Sequence, residues 1–186
     1  MTETLLHIIE RCLRQEAEAE KILYFRFAPR IIALTRRYAR DEAEALDYLQ
    51  ECFIVIFDKL DQYQPEKGNF EPWMFKVCTN VVLQILRKKN STQFVEIPEN
   101  MKEEEEQEPS LLSQLNEHQI LEAIRTLPEG YRAVFNLYVF EQWSHRDIAH
   151  SLGITESASR SQLTRARKVI QFKLRQITSE YEQRLV

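Results

Sequence analysis

Apolar residues recur at helical spacing along nearly the whole 186-residue chain. Leu46, Leu49, Phe53, Ile56, Phe57 and Leu60 follow the i, i+3, i+4 rule, while the strict alternation of a half-buried strand is rare. That periodicity restricts the chain to an all-α fold. It predicts helices over residues 3–14, 17–39, 42–61, 70–89, 114–127, 129–142, 144–151 and 156–179. Tyr63–Asn69 (YQPEKGN), with Pro65 and Gly68, predicts a loop, after which Asn69 can cap the next helix and Pro72 fits its first turn.

The periodicity fails between about Ser91 and Ser113, where Pro98, Pro109 and the run Glu103–Glu106 take its place. Like charges repel and proline interrupts helices, so this stretch predicts an extended, flexible linker. The chain then divides into a helical domain over 1–90, an acidic linker over 91–113 and a second helical domain over 114–186. A net charge of −4 for the whole chain argues against nucleic acid as a partner. Its distribution reverses that inference. Residues 1–91 hold 14 basic and 14 acidic side chains, 92–118 hold Lys102 against eight acids, and 119–186 hold 10 basic against 7 acidic. Within 160–175 there are six basic residues and no acid. The acidity belongs to the linker.

Known chemistries find little support. Cys12, Cys52 and Cys78 are odd in number and far apart, and no Cys or His spacing suits a zinc site, so they are expected to be core residues in a reducing cytoplasm. His145 and His150 are five apart, which does not align two ligands on one helix face. With no Walker loop, GxGxxG turn or GxSxG elbow, the expectation is a protein that is not an enzyme and holds no cofactor or metal. No apolar run approaches the ~18–20 residues of a membrane span and the first 30 residues carry charge throughout, so neither signal peptide nor membrane insertion is expected, and the location is expected to be cytoplasmic.

Ser144 to Leu174 reads as a helix, a tight turn and a second helix. Ser144 suits an N-cap; Ile148, Ala149 and Leu152 form an inner face; Gly153 falls where the chain must leave the helix, often with φ > 0; and Thr155 can cap the second helix. A helix-turn-helix projects its second helix into a major groove. That helix exposes Ser157, Arg160, Ser161, Thr164 and Arg165 near its start, where base edges are met, with Arg167 and Lys168 suited to phosphates. The bland alternative for this face is solubility, for which mixed Glu and Lys are the usual choice.

Two further stretches belong together. One is Asp47-Tyr48-Leu49-Gln50-Glu51-Cys52-Phe53. The other runs from Gly68-Asn69-Phe70-Glu71-Pro72-Trp73-Met74 through Asn80 to Leu86-Arg87-Lys88-Lys89. They resemble the D-x-x-Q-E-x-F and G-x-F-x-x-W-L/M…N…R-R/K signatures of region 2 in extracytoplasmic-function (ECF) sigma factors of the sigma-70 family. Leu127-Pro128-Glu129-Gly130-Tyr131-Arg132-Ala133-Val134-Phe135, followed by the helix-turn-helix ending Leu163-Thr164-Arg165-Ala166-Arg167, resembles region 4 of the same family. Both modules stand in the family's order, and the stretch between them leaves no room for the middle domain of larger sigma factors.

The resemblance implies a subunit that binds core RNA polymerase and promoter DNA, recognises the −10 and −35 elements, helps open the duplex and is controlled by an anti-sigma factor. It implies a polymerase-binding face of Asp47, Gln50, Glu51 and Phe53. It implies −10 and melting contacts from Tyr63, Asn69, Trp73, Asn80, Arg87 and Lys88, and −35 contacts from the second helix of the helix-turn-helix. The family's usual Thr-Val early in that helix is Ala158-Ser159 here, and its Glu before Ile148-Ala149 is Asp147. Without the resemblance, a helix-turn-helix regulator acting apart from polymerase, or a helical protein gripping an acidic partner, would fit the same residues.

Overall fold

The computed structural model describes residues 3–89 and 117–184, with side chains over 3–89 and 118–177. It divides into two compact units, Met1–Lys88 and Lys89–Val186. The acidic stretch over 91–113 lies outside the described residues.

The first unit contains α1 (Leu5–Leu13), α2 (Ala17–Tyr38), α3 (Glu42–Asp58) and α4 (Phe70–Lys89). α1 and α3 begin at side-chain caps. The Thr4 hydroxyl accepts from the His7 N–H to open α1. The Asp41 carboxylate accepts from the Glu44 N–H at 2.8 Å, while Glu44 reaches back to the Arg40 N–H at 2.7 Å, so α3 begins with its first donors satisfied. The buried row of α2 is Ala19, Leu23, Phe27, Ile31, Leu34 and Tyr38, and α1 and α3 pack along this helix. From α3 the core takes Ala45, Tyr48, Leu49, Cys52, Phe53 and Ile56. Leu46, read as part of the apolar stripe, is 46% exposed, because the buried stripe is centred one residue earlier, on Ala45 and Tyr48.

Between α3 and α4 the chain makes two short 3₁₀ turns, Leu60–Gln62 and Pro65–Lys67. The second falls inside the stretch expected to be a plain loop. Proline fixes φ at a value that suits such a turn. Gly68 follows at φ +147°, a backbone setting that a side chain disfavours.

The second unit contains α5 (Glu117–Arg125), α6 (Glu129–Val139), α7 (His145–Leu152) and α8 (Glu156–Arg184). α5, α6 and α7 all pack on α8. Its core joins Ala123, Ile124, Leu127 and Tyr131 to Ala166, Ile170 and Leu174, and Ile148 of α7 is fully buried. α6 ends three residues before its expected limit of 142. Phe140 closes it by donating to the Asn136 carbonyl, Gln142 adopts φ +56°, and the Trp143 N–H returns to the Leu137 carbonyl at 2.9 Å. This reversal delivers the chain to Ser144.

The turn from α7 to α8 depends on Gly153, at φ +68° and ψ 33°, whose N–H donates to the Ala149 carbonyl. No atom lies within 4 Å of where a Cβ would stand, so the requirement is conformational and not steric crowding. Gly153→Ala is therefore expected to destabilise the second unit by about 1–2 kcal/mol, read as a lower urea midpoint with an unchanged slope.

Candidate nucleic-acid interface

The starts of α7 and α8 are both capped by short side chains. The Ser144 hydroxyl accepts from the Asp147 N–H at 3.1 Å and donates to the Asp147 carboxylate at 2.6 Å. Asp147, where the family pattern has Glu, therefore holds the capping hydroxyl in place by accepting its hydrogen bond. The Thr155 hydroxyl accepts from the Ala158 N–H at 3.0 Å and opens α8, and the Ile154 N–H bonds the Ala149 carbonyl at 3.1 Å.

Burial then decides which side of α8 faces out. Ser159, Gln162, Leu163, Ala166, Ile170 and Leu174 are turned inward. Ser157, Arg160, Ser161, Thr164, Arg165 and Arg167 are exposed and Lys168 is half-buried, so the residues expected to meet DNA share the outer side. Their local partners are specific. Arg160 Nη2 donates to Glu156 at 2.7 Å, and Arg165 Nη1 donates to the Tyr131 hydroxyl at 3.3 Å. The Arg167 guanidinium lies 5.7 Å from the centroid of the Tyr138 ring. Ser161 and Thr164 donate to the carbonyls of Ala158 and Arg160, which leaves their oxygen lone pairs directed outward as acceptors.

Glu156 and Tyr138 were not singled out in the sequence, and Tyr131 entered only as part of the Leu127–Phe135 motif. The all-basic run begins at Arg160, so it passes over the acid four residues earlier, although i, i+4 spacing was available to pair them. The two tyrosines come from α6, and no sequence pattern links them to α8.

In the first unit the expected residues separate into three places. Asp47, Gln50 and Glu51 are exposed together on α3, with Ile54 (61% exposed) on the same face. Phe53, grouped with them on the resemblance, is 4% exposed, and its ring sits 4.4 Å from that of Tyr24. The residue is core, and its contribution to that face is to hold α3 in place. Ile54 is the exposed apolar residue the reading missed; the i+7 spacing from Asp47 would have found it.

Tyr63, Asn69 and Trp73 gather at the start of α4. The Tyr63 hydroxyl donates to the Gly68 carbonyl at 3.0 Å, so this side chain closes the loop on itself. Its ring stands edge-on to Phe70 at 5.2 Å and 5.6 Å from Trp73, while Phe70 also packs on Phe27 of α2 at 5.3 Å. Beside them lies a cleft of about 580 Å³, walled by Leu5 and Leu6 of α1 and by Tyr63, Gly68, Asn69 and Pro72. An ion pair between Arg30 and Glu71 ties α2 to the head of α4. Asn80, Arg87 and Lys88 are exposed farther along α4. Trp73, Asn80 and Arg87 are seven apart and share one stripe, spanning roughly 21 Å at 1.5 Å per residue. Lys76 and Gln84 are exposed on the same helix.

Residues 23–92 match the family described as Sigma-70 region 2, and residues 117–170 match Sigma-70, region 4, together more than half of the chain. The ECF RNA polymerase sigma factor SigE of Mycolicibacterium smegmatis is 28% identical over 160 residues, covering 84% of this chain and 62% of that protein. The RNA polymerase sigma-H factor of Pseudomonas aeruginosa is 26% identical over 184 residues, covering 93% and 95%. Among solved structures, the sigma factor RpoE of Bartonella quintana, crystallised with the anti-sigma factor NepR, shares the fold with a TM-score of 0.51 at 19% identity, covering 83% of this chain and 96% of that one.

The closed loop yields a direct test. Tyr63→Phe keeps the ring packing and removes the bond to Gly68, and trypsin is expected to cut after the exposed Lys67 severalfold faster, in a timed digestion, than in the unaltered chain.

Proposed function

The chain belongs to the extracytoplasmic-function group of the sigma-70 family, and we propose that it acts as the initiation subunit of RNA polymerase, binding core enzyme and selecting promoters by their −10 and −35 elements. It works by binding and has no catalytic step of its own. The observation that carries this reading is the presence on one chain, in family order, of a capped helix-turn-helix with a basic outer side and a four-helix unit whose last helix carries an exposed amide and basic stripe.

Each surface has a physical task. Asp47, Gln50 and Glu51 lie within the two turns before the exposed Ile54 on α3, so polar and acidic groups border an apolar side chain, an arrangement suited to a basic coiled-coil on the polymerase. Desolvation of Ile54 supplies affinity, while the neighbouring charges set approach and partner choice. At the head of α4, an unstacked base can enter the cleft beside Tyr63, Asn69 and Trp73, where stacking contributes ~1–3 kcal/mol per base. Asn80, Arg87 and Lys88 then hold the strand by amide and phosphate contacts. On α8, Arg160 reads a base edge, with Ser157, Ser161, Thr164 and Arg165 beside it, and Arg167 and Lys168 neutralise phosphates. Arg160 must exchange its bond to Glu156 for a bond to a base. The exchange costs little, because an exposed pair of this kind is worth only ~0.3–0.5 kcal/mol.

The test adds the purified chain to core polymerase on a library of random promoters. Promoter-specific transcripts that require the chain are expected. Duplex binding without any effect on polymerase would instead make it a free-standing regulator, and neither result would leave a helical interaction protein. Asp47→Ala is expected to weaken association with core polymerase by about tenfold without altering duplex binding; unchanged assembly would remove α3 from the docking surface. Arg160→Ala is expected to lose ~1–3 kcal/mol of −35 discrimination, measured on duplexes changed one base pair at a time, and equal losses at every position would refute a base contact.

A further inference from the structure

Ser159 lies on the inner side of α8 and is wholly buried, immediately before the exposed Arg160. Its hydroxyl is 2.9 Å from Nδ1 of His145, the first residue of α7. The imidazole is stacked on the ring of Tyr138 from α6, with centroids 4.7 Å apart and planes 24° from parallel. A further neighbour of that tyrosine ring is the Arg167 guanidinium, back on α8. A circuit of contacts therefore leaves α8 at Ser159, crosses α7 and α6, and returns to α8 at Arg167. Two of the outer arginines sit at its ends, Arg160 beside Ser159 and Arg167 against Tyr138.

A directional bond at this point does what an apolar contact cannot. Apolar contacts choose the covered side of a helix but have no preferred direction of their own, whereas a hydrogen bond weakens steeply as its angle departs from linear. At a side-chain radius of ~5–6 Å, turning α8 about its axis by ~20° displaces its outer atoms by roughly 2 Å. That shift is enough to spoil a bidentate contact to a guanine, while a phosphate contact would adjust to it. Burial first, and then the charge of Arg160, hold His145 below the ordinary histidine value. The imidazole is accordingly neutral at neutral pH and stacks without adding a cation beside Arg160 and Arg167.

We propose that His145 is a positioning residue for promoter recognition: through Ser159 and Tyr138 it fixes the rotation of α8 and the orientation of Arg167, and so sharpens sequence choice without touching DNA. The inference rests on the promoter-reading function above. The experiment uses holoenzyme made with the full chain, one promoter selected from the random library by the unaltered protein, and the same promoter with its upstream element scrambled. The readout is the half-saturating concentration of the scrambled promoter divided by that of the selected one. His145→Ala and Ser159→Ala are each expected to lower that ratio about 5–10-fold, and the double variant to fall no further than the worse single, as for two members of one interaction. His145→Asn, whose amide nitrogen stands close to the place of Nδ1 but which has no ring to stack on Tyr138, is expected to restore the ratio in part, to a value between those of the Ala variant and the unaltered protein. Binding to the scrambled promoter stays constant throughout.

Additive losses, equal losses on both promoters, or an Asn variant no better than Ala would overturn the proposal. Thermal melting reports whether each variant is folded. Should His145→Ala not fold, Ser159→Ala, which removes a single oxygen atom, carries the test with its own ratio. Failure of the unaltered holoenzyme to discriminate the two promoters would overturn the promoter-reading function itself, an outcome distinct from discrimination that survives loss of the His145–Ser159 bond.

Discussion

The inward burial of Leu163, Ala166, Ile170 and Leu174 decides which side of α8 turns to solvent. This apolar row is covered by α5, α6 and α7 only within a narrow range of rotations, and throughout that range Arg160, Thr164 and Arg167 are in water. The basic side is thus a consequence of core formation. Units this small bury a modest fraction of their surface and have little stability to spare. Caps at Ser144 and Thr155 and a glycine at the turn therefore matter more here than in a larger fold.

The first unit uses the same principle with aromatic rings. Phe27 reaches Phe70, Phe70 reaches Trp73, and Tyr63 lies against both of the last two. The cluster couples the core helix α2 to the loop ahead of α4, so a surface feature inherits rigidity from the interior. Phe53 plays a similar part under α3, where its ring packs on Tyr24 and Phe57. In both places a buried aromatic residue, Phe70 in one and Phe53 in the other, supports the exposed groups beside it.

Helix type and approximate limits were legible because they follow from local periodicity and from capping residues that act within four positions. Ser144, Gly153 and Thr155 do in the fold what their chemistry predicts. The outer residues of α8 were legible for the same reason, since one side of an amphipathic helix is visible in a linear sequence. Phe53 was misplaced because its motif links it to exposed neighbours while its helical position points inward. Leu46 shows the reverse, an apolar residue one step off the covered stripe. His145 and Ser159, fourteen residues apart, and Tyr138 under Arg167 could not have been paired from the sequence, because only the reversal at Gln142 and the turn at Gly153 bring them together.

The Tyr63–Gly68 bond has a further consequence for the timing of events on DNA. A loop that must order itself around an incoming base gives up configurational freedom at that moment, and the encounter slows accordingly. Here the loop is already latched in the free chain, so that entropy is lost during folding. For a base entering this cleft, the waiting time would then be governed by how often the duplex opens. The chain would act as a ready-made receptacle that catches spontaneous fluctuations of the DNA, and promoter sequences that breathe more easily would be captured sooner.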